Sequence, residues 1–545
     1  MTNIFTKNRF RTGLVILLVI GLAACKKSTT EQPVDTGTTN VPAGGTRTQL
    51  TLDSMYLYAK QIYFWNDALP EYSVFNPRQY SSKSSAIDNY EDELYAISQL
   101  KINPATGQAY EYYGDGFPKY SFINDITLNN PGVTASIQDQ ADVDTEGNGN
   151  DIGIRPVFYL YQNSTKYNLM VTAVYPGSPA AAAGVKRGWM IQKINGTTVG
   201  NVYSTERASV LSNLDASSVK LEGVNYADNA PFSVTLTKAS YKSSPVYTSK
   251  VITRAGKKIG YLAFARFSVL SNQDDLAPSD INLDPVFAEF STQGVTDLVI
   301  DLRYNGGGYV NTCEYLGNLI APSSLTGKKM FTEIYNTTMQ TKKATLLANQ
   351  PLLDGDGKIQ RNKNTNAIIT YADLDYSSTA AGNNVSFSKK GNLNTVTNIV
   401  FIVSGNTASA SELLINNLKP YMTVQLVGET TYGKPVGFFP ITLENRYEVY
   451  MPLFETRNAN NEGSYYAGMV PGKAVSDNSV YPFGDEREAE LAAALQLIAP
   501  GSVASQGATS SVGNRSAKVV TMDFSEAKPV NPNSEFKGMI DRKRK

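Results

Sequence analysis

Ile399-Val400-Phe401-Ile402-Val403-Ser404-Gly405-Asn406-Thr407-Ala408-Ser409-Ala410-Ser411-Glu412-Leu413-Leu414-Ile415 is a strand, a turn and a helix in immediate succession. The apolar run 399–403 reads as a buried strand, and apolar spacing turns helical over 409–418. Outward from this unit the same alternation repeats. Strands are expected at 258–264, 295–302 and 424–428, and a helix at 284–290. Strands separated by helices imply an α/β layered domain with βαβ crossovers. An amphipathic helix at 486–498 closes it. The polar stretch 315–398 has no strong period and reads as an elaboration of this core.

The turn also carries chemistry. Ser409 stands where a strand delivers it to a helix start, and the Ala410 amide points the same way, at the positive end of the helix dipole. An oxyanion forming beside Ser409 would meet that amide. Helix capping by Ser409 or Ser411 is the plainer use of such a turn. The chain has no histidine among its 545 residues, so a Ser-His-Asp triad is impossible. A buried lysine is the substitute base. Lys434, in Tyr432-Gly433-Lys434-Pro435, lies 25 residues beyond Ser409. It serves only if its pKa falls by about three units, through apolar burial. Val436, Phe438 and Phe439 are positioned to supply that burial. A third element, Asp301-Leu302-Arg303-Tyr304-Asn305-Gly306-Gly307-Gly308, ends a buried strand in three glycines. Such a run lets backbone approach a ligand and exposes N–H groups. Gly306 and Gly307 are therefore candidates for the second oxyanion donor.

Composition excludes other classes. Lys plus Arg and Asp plus Glu number 49 each, so formal net charge is zero. That argues against nucleic acid or an anionic membrane surface as the main partner. Two cysteines, Cys25 and Cys313, and no histidine leave no basis for a zinc site; no metal and no cofactor is expected. Cys313 reads as a small buried hydrophobe.

Residues 1–25 read as a secretory signal: Lys7, Arg9 and Arg11, an apolar run over 13–22, then Leu22-Ala23-Ala24-Cys25. The last four resemble a bacterial lipobox. The resemblance implies lipidation at Cys25 and a cell-envelope protein, anchored to the outer membrane and facing the periplasm or the cell surface. A Ser-, Thr-, Pro- and Gly-rich tether follows over 26–48. An N-terminal helical domain is expected at 49–125, its first helix starting near Thr51-Leu52-Asp53-Ser54. Residues 150–245 read as short strands around Pro176-Gly177-Ser178-Pro179-Ala180-Ala181-Ala182-Ala183-Gly184-Val185. With Gly188 to Gly196 this order resembles a PDZ domain of the bacterial protease type, which implies a peptide-binding edge near Ile152, Gly153 and Ile154. The catalytic unit is expected over 250–500, and 501–545 reads as a polar tail, extended or disordered.

Taken together, 301–308, 407–412 and 428–434 resemble the carboxyl-terminal processing peptidases, or tail-specific proteases, which carry a PDZ domain ahead of the peptidase. The resemblance covers roughly 150–500. It implies a multidomain α/β protein with a crotonase-like core, Ser409 as nucleophile, Lys434 as general base, and Ala410 with Gly306 or Gly307 as oxyanion hole. It also implies protein or peptide substrates with free C-terminal tails. This chain departs from the pattern at Phe438, where many members have a glutamine, and at Pro435. Glu429, Thr430 and Asn406 are then candidates to orient the lysine. A non-catalytic tail-binding protein on a decayed peptidase fold is the alternative reading.

Overall fold

The computed structural model describes residues 41–114, 116–127, 143–274, 277–354, 357–501, 520–531 and 536–541. The signal and lipidation readings at 1–25, including Cys25, lie outside these residues, as does most of the tether. Among the described residues no helix is long and apolar enough to cross a membrane.

The chain opens with α1 (Arg47–Ile62) and α2 (Ala86–Ser98). α1 starts earlier than 51–54, because Thr46 and Gln49 cap each other reciprocally, side chain to backbone N–H. Both helices bury apolar faces, including Leu52, Tyr56, Ile62, Tyr90 and Leu94, in the same cluster as Phe401, Leu414 and Phe438. They form a layer on the α/β core rather than a body with a core of its own. β1 (Phe122–Asp125) ends this segment.

An antiparallel sheet follows: β2 (Ile154–Leu160), β3 (Tyr167–Val174), β4 (Trp189–Ile194), β5 (Ser218–Asn225) and β6 (Pro231–Thr237). α3 (Tyr203–Leu214) lies between β4 and β5 in sequence. This unit has its own core, in which Phe158, Leu169, Val171, Ile191, Val210 and Leu221 meet. Asn195 and Gly196 both take positive φ, 50° and 82°, so the Asn-Gly pair after β4 forms the tight turn its sequence calls for.

The third unit is a mixed sheet. β7 (Val246–Arg254) pairs antiparallel with β8 (Lys257–Phe264). α4 (Asp284–Thr292) crosses to β9 (Asp297–Asp301), parallel to β8. β10 (Gly307–Tyr309) and α5 (Val310–Ile320) come next. β11 (Lys329–Tyr335) and β12 (Asn384–Ser386) lie within the stretch that sequence alone left unassigned. β13 (Asn398–Val403), α6 (Ala410–Leu418) and β14 (Thr423–Gly428) complete a second crossover. The rest comprises β15 (Val436–Gly437), β16 (Ile441–Leu443), β17 (Tyr447–Tyr450), β18 (Phe454–Asn458), β19 (Lys473–Ala474) and α7 (Ala489–Ile498).

The central sheet runs β7-β8-β9-β13-β14-β19, parallel from β8 onward. Its strands are apolar on both faces, as a covered parallel sheet requires. Leu491, Leu495 and Ile498 of α7 pack with Val299, Val400 and Ile402, while Ile300 and Phe401 turn into the large core on the other side. A second sheet runs β12-β11-β18-β15, so the 315–398 stretch supports the strand that follows Lys434. β1 pairs with β17, which joins the N-terminal layer to the same unit.

The 501–545 tail, expected to be extended or disordered, is extended where it is described, and it docks on the body. β20 (Glu526–Pro529) adds antiparallel to the free edge of β2, and β21 (Gly538–Ile540) lies parallel to β10. Met522, Val530 and Met539, spaced through a polar stretch, are buried by this docking. Their period is too sparse to signal an element from sequence.

Candidate active site

Ser409, Lys434 and the glycine run are brought together by the parallel sheet, because β9 and β13 are neighbours and both end on the same side. Thr407 Oγ1 donates to Leu302 O at 2.8 Å, Ala408 N–H to Asn305 O at 3.1 Å, and Ser411 Oγ to the same carbonyl at 3.0 Å. Tyr432 N–H reaches Thr407 O at 2.9 Å. Three segments distant in sequence are thus tied by backbone-directed bonds.

Ser409 occupies φ 59°, ψ −111°, just before the first residue of α6. Positive φ in a residue other than glycine costs on the order of 1–3 kcal/mol and persists only where the surroundings impose it. Here they do. The Ser409 N–H is held by Glu412 Oε2 at 2.9 Å, and the turn is buried throughout. Ser409 Oγ itself has no hydrogen-bond partner although the residue is fully buried. An orphan hydroxyl of this kind calls for a functional account.

Glu412 is the residue that sequence reasoning undervalued. In sequence it is only an acid in the first turn of the helix that Ser409 precedes. Its Oε2 accepts from the Ser409 and Lys434 N–H groups, the latter at 2.8 Å. Its Oε1 accepts from Gly433 N–H at 2.8 Å and from Thr431 Oγ1 at 2.5 Å. One carboxylate therefore fixes both the serine turn and the lysine loop. Burial pushes its pKa up, and the four donors oppose that shift.

Lys434 is fully buried. Desolvation lowers its pKa to about 7; the charges of Glu111 and Glu412 oppose this and Lys119 assists it. Val436, Phe438 and Phe439 are each fully buried, as the apolar reading of this segment requires. The amine lies 4.3 Å from the Phe438 ring centroid, so that ring forms an apolar wall where a side-chain amide could have stood. Nζ donates to Lys537 O at 3.0 Å and to Tyr120 O at 3.4 Å. It makes no bond to Ser409 Oγ, nor to Glu429, Thr430 or Asn406. Tyr120 comes from the N-terminal layer, and its hydroxyl also donates to Gly433 O at 2.6 Å. No local motif announces Tyr120; only the tertiary packing brings it here.

The oxyanion candidates divide. Ala410 opens α6 with its amide at the helix N-terminus. Gly307 holds φ 108°, which favours glycine, but its N–H donates to Asn305 Oδ1 at 2.9 Å. That bond engages the Gly307 N–H and leaves Gly306 as the remaining candidate of the two. A side chain at Gly306 would strike Phe536 O at 1.9 Å, so glycine is required there. Cys313 is fully buried with its thiol pushed well up by desolvation, which suits packing and not nucleophilic attack.

Behind the glycine run sits a buried charge network. Arg303 pairs with Asp301 at 2.8 Å, Glu488 at 2.9 Å and Asp477 at 3.0 Å, and with Glu490. Arg187 of the antiparallel unit pairs with Asp477 at 2.8 Å and donates to Tyr304 Oη at 2.6 Å. Burial raises Asp477, but the two guanidiniums outweigh it and hold its pKa low. The cluster of Asp477, Glu488 and Glu490 is thus met by guanidiniums.

Ile152, Gly153 and Ile154 lie apart from this centre, at the start of β2. Ile152 and Ile154 point into the core of the antiparallel unit, and Gly153, at φ 85°, packs on Ser178. What β2 offers a ligand is its backbone edge.

Residues 258–471 match the model of peptidase family S41. A carboxyl-terminal-processing protease of Synechocystis sp. is 23% identical over 361 residues, covering 66% of this chain and 70% of that protein. The carboxy-terminal processing protease CtpA of Bacillus subtilis is 22% identical over 304 residues, 56% of this chain and 52% of its own. The matched region thus spans about half to 70% of these relatives. Among solved structures, a Bacteroides fragilis protein named as a candidate S41 protease aligns with a TM-score of 0.52 at 21% identity. That alignment covers 84% of this chain and 99% of that one, and establishes likeness of fold.

Proposed function

We propose that this serine-type peptidase, whose residues 258–471 match the model of peptidase family S41, cleaves protein substrates near their C-termini by a Ser409–Lys434 dyad. The observation that carries this reading is a fully buried lysine whose amine titrates near neutrality and whose backbone N–H shares the Glu412 carboxylate with that of Ser409, a serine whose hydroxyl is unpaired. Neutral Lys434 takes the Ser409 proton as Oγ attacks the scissile carbonyl, then returns it to the leaving amine. The Ala410 and Gly306 amides face the developing oxyanion. The lysine needs no side-chain amide to orient it in this scheme: Tyr120 O and the Phe438 ring set its direction.

The core is read as crotonase-like and the antiparallel unit as a PDZ-like domain, with the β2 edge recruiting extended tails by strand addition. Cys25 is read as the site of a lipid anchor to the bacterial cell envelope. The test is direct. Ser409→Ala and Lys434→Ala should each abolish cleavage of an unfolded protein ending in apolar residues, while circular dichroism remains that of the parent. Retained cleavage in either variant refutes the dyad. Tail binding by the parent without any cleavage would favour the non-catalytic reading instead.

A further inference from the structure

Neither Ser409 nor Lys434 has any solvent exposure. A peptidase whose nucleophile is sealed is not in a state that admits substrate, so what covers it matters. The cover includes the chain's own distal segment. Lys537 O accepts a hydrogen bond from the Lys434 amine at 3.0 Å. Gly538 N–H donates to Gly306 O at 3.1 Å, which places the segment directly against the glycine run. Phe438 N–H donates to Met539 O at 3.1 Å, and Asp541 N–H to Phe438 O at 3.0 Å. Residues 536–541 are therefore clamped between β10 on one side and the Phe438 backbone on the other. Gly538 O lies close enough to Gly307 that a methyl on Gly307 would meet it at 2.5 Å, with Ala410 N and Ser409 Cβ at 3.0 Å from the same point. The segment thus occupies the space around the oxyanion donors.

The same stretch of chain also takes the other edge. β20 pairs with β2 in register from Glu526 opposite Leu160 to Pro529 opposite Val157. Val530 is buried in the core of the antiparallel unit, and its N–H donates to Pro156 O at 3.0 Å. Phe524 packs edge-on against Tyr159. An extended peptide added antiparallel to a free sheet edge is how strand-adding modules hold ligands. One segment thus fills the recruiting edge and the reaction cleft at once.

We propose that residues 526–530 and 536–541 are an intramolecular substrate mimic that holds this peptidase closed. The proposal rests on the peptidase reading above. The ligand class follows from the contacts: an extended peptide with a buried aliphatic residue at the β2 edge, an aromatic residue before the cleft, a glycine opposite Gly307, and an apolar residue after it. Gly538 is constrained in this role, because a side chain there would strike the Phe536 ring at 2.0 Å. Substrate must displace the segment to reach Ser409, so the resting rate is set by how often it lifts.

Three chains test this: the full chain, the chain lacking 520–545, and the full chain with Val530→Asp. Val530 touches neither Ser409 nor Lys434, and Asp in its place opposes burial at the β2 edge. Both altered chains should cleave an unfolded substrate at least about tenfold faster than the parent. A synthetic peptide of residues 520–541 should restore inhibition of the shortened chain, competitively with substrate. Unchanged rates in both altered chains, with parental circular dichroism, overturn the proposal. A second readout needs no activity. A fluorescein-labelled 520–541 peptide should bind the shortened chain carrying Ser409→Ala, by anisotropy, and the Gly538 and Val530 amides of the full chain should be protected from hydrogen exchange. Absence of binding and protection also overturns the proposal. Peptide binding without cleavage by any of the chains would sustain the occupancy and refute the peptidase reading. Intact mass of the purified full chain gives the last arm: an uncut tail supports a mimic, and a tail trimmed in the parent but not in Ser409→Ala would replace the mimic with a self-substrate.

Discussion

Ser409 and Lys434 are tied together through one buried carboxylate, that of Glu412. All four groups bonded to Glu412 are donors. Glutamine offers only one acceptor oxygen, so its amide must turn two N–H groups toward existing donors. Glu412→Gln should therefore behave nearly as badly as Glu412→Ala. Each buried donor left unpaired costs roughly 1–3 kcal/mol, and the turn that holds Ser409 at positive φ loses its anchor. The expected result is a fall in kcat of at least about tenfold with a lower Tm, measured by steady-state kinetics and calorimetry. Lys434 makes a second prediction. Its pKa is lowered to about 7, and only the neutral amine accepts a proton, so kcat should climb about tenfold per pH unit below 7 and level off above it. A buffer series from pH 5 to 9 checks this; a rate that does not change across it would exclude the lysine as base. Stability responds to pH in the same direction. A lysine lowered on folding disfavours the folded state most when it must be charged, below pH 7, and this cost is relieved as pH rises toward its unfolded value. Lys434→Met should accordingly raise Tm more at pH 6 than at pH 9.

At the scale of elements, the strand-turn-helix at 398–418 and the strands around it were legible because buried parallel strands are continuous apolar runs and their helices keep a 3.6 period. The missing histidine and the spacing of Ser409 from Lys434 pointed to the same residues that the fold assembles. Three things were not legible. Glu412 is indistinguishable in sequence from an ordinary capping acid. Tyr120 acts through its backbone carbonyl, which no side-chain pattern encodes. The 315–398 stretch builds a sheet from β11 and the three-residue β12, joined by long irregular connections, so its period was too short to register. The N-terminal layer illustrates a fourth limit: helical spacing finds helices but does not reveal what they pack against. Trp65 stacks on Tyr110 at 4.8 Å, and Tyr466 meets both rings. Removing everything before residue 143 would strip the cover from this core and from Lys434. A chain beginning at residue 143 should be aggregated by light scattering, whereas an independent helical domain would leave it soluble and folded.

Across the whole molecule, Arg303 and Arg187 join the antiparallel unit to the glycine run through Asp477 and Tyr304. Arg303 is met by four carboxylates and is almost wholly buried. Arg303→Leu strands those charges and should cost about 3–5 kcal/mol of stability, read by denaturant unfolding. Acid tests the same network. Asp477 has its pKa held low in the folded state, so its stabilising contribution is present above its unfolded value and is lost as pH falls through the folded one. Unfolding should therefore steepen only at strongly acidic pH, and Arg187→Met should move that onset upward. The docked distal strands, finally, set a threshold. A tethered ligand confronts its site at an effective concentration on the order of millimolar, whatever the dilution of the protein. A free peptide of similar intrinsic affinity would have to approach that concentration to compete. A substrate that grips the β2 edge and the cleft together escapes the handicap, because its second contact is also intramolecular. The enzyme would then ignore scattered fragments and respond to long, unfolded chain ends, a discrimination made by valency rather than by the shape of any one pocket.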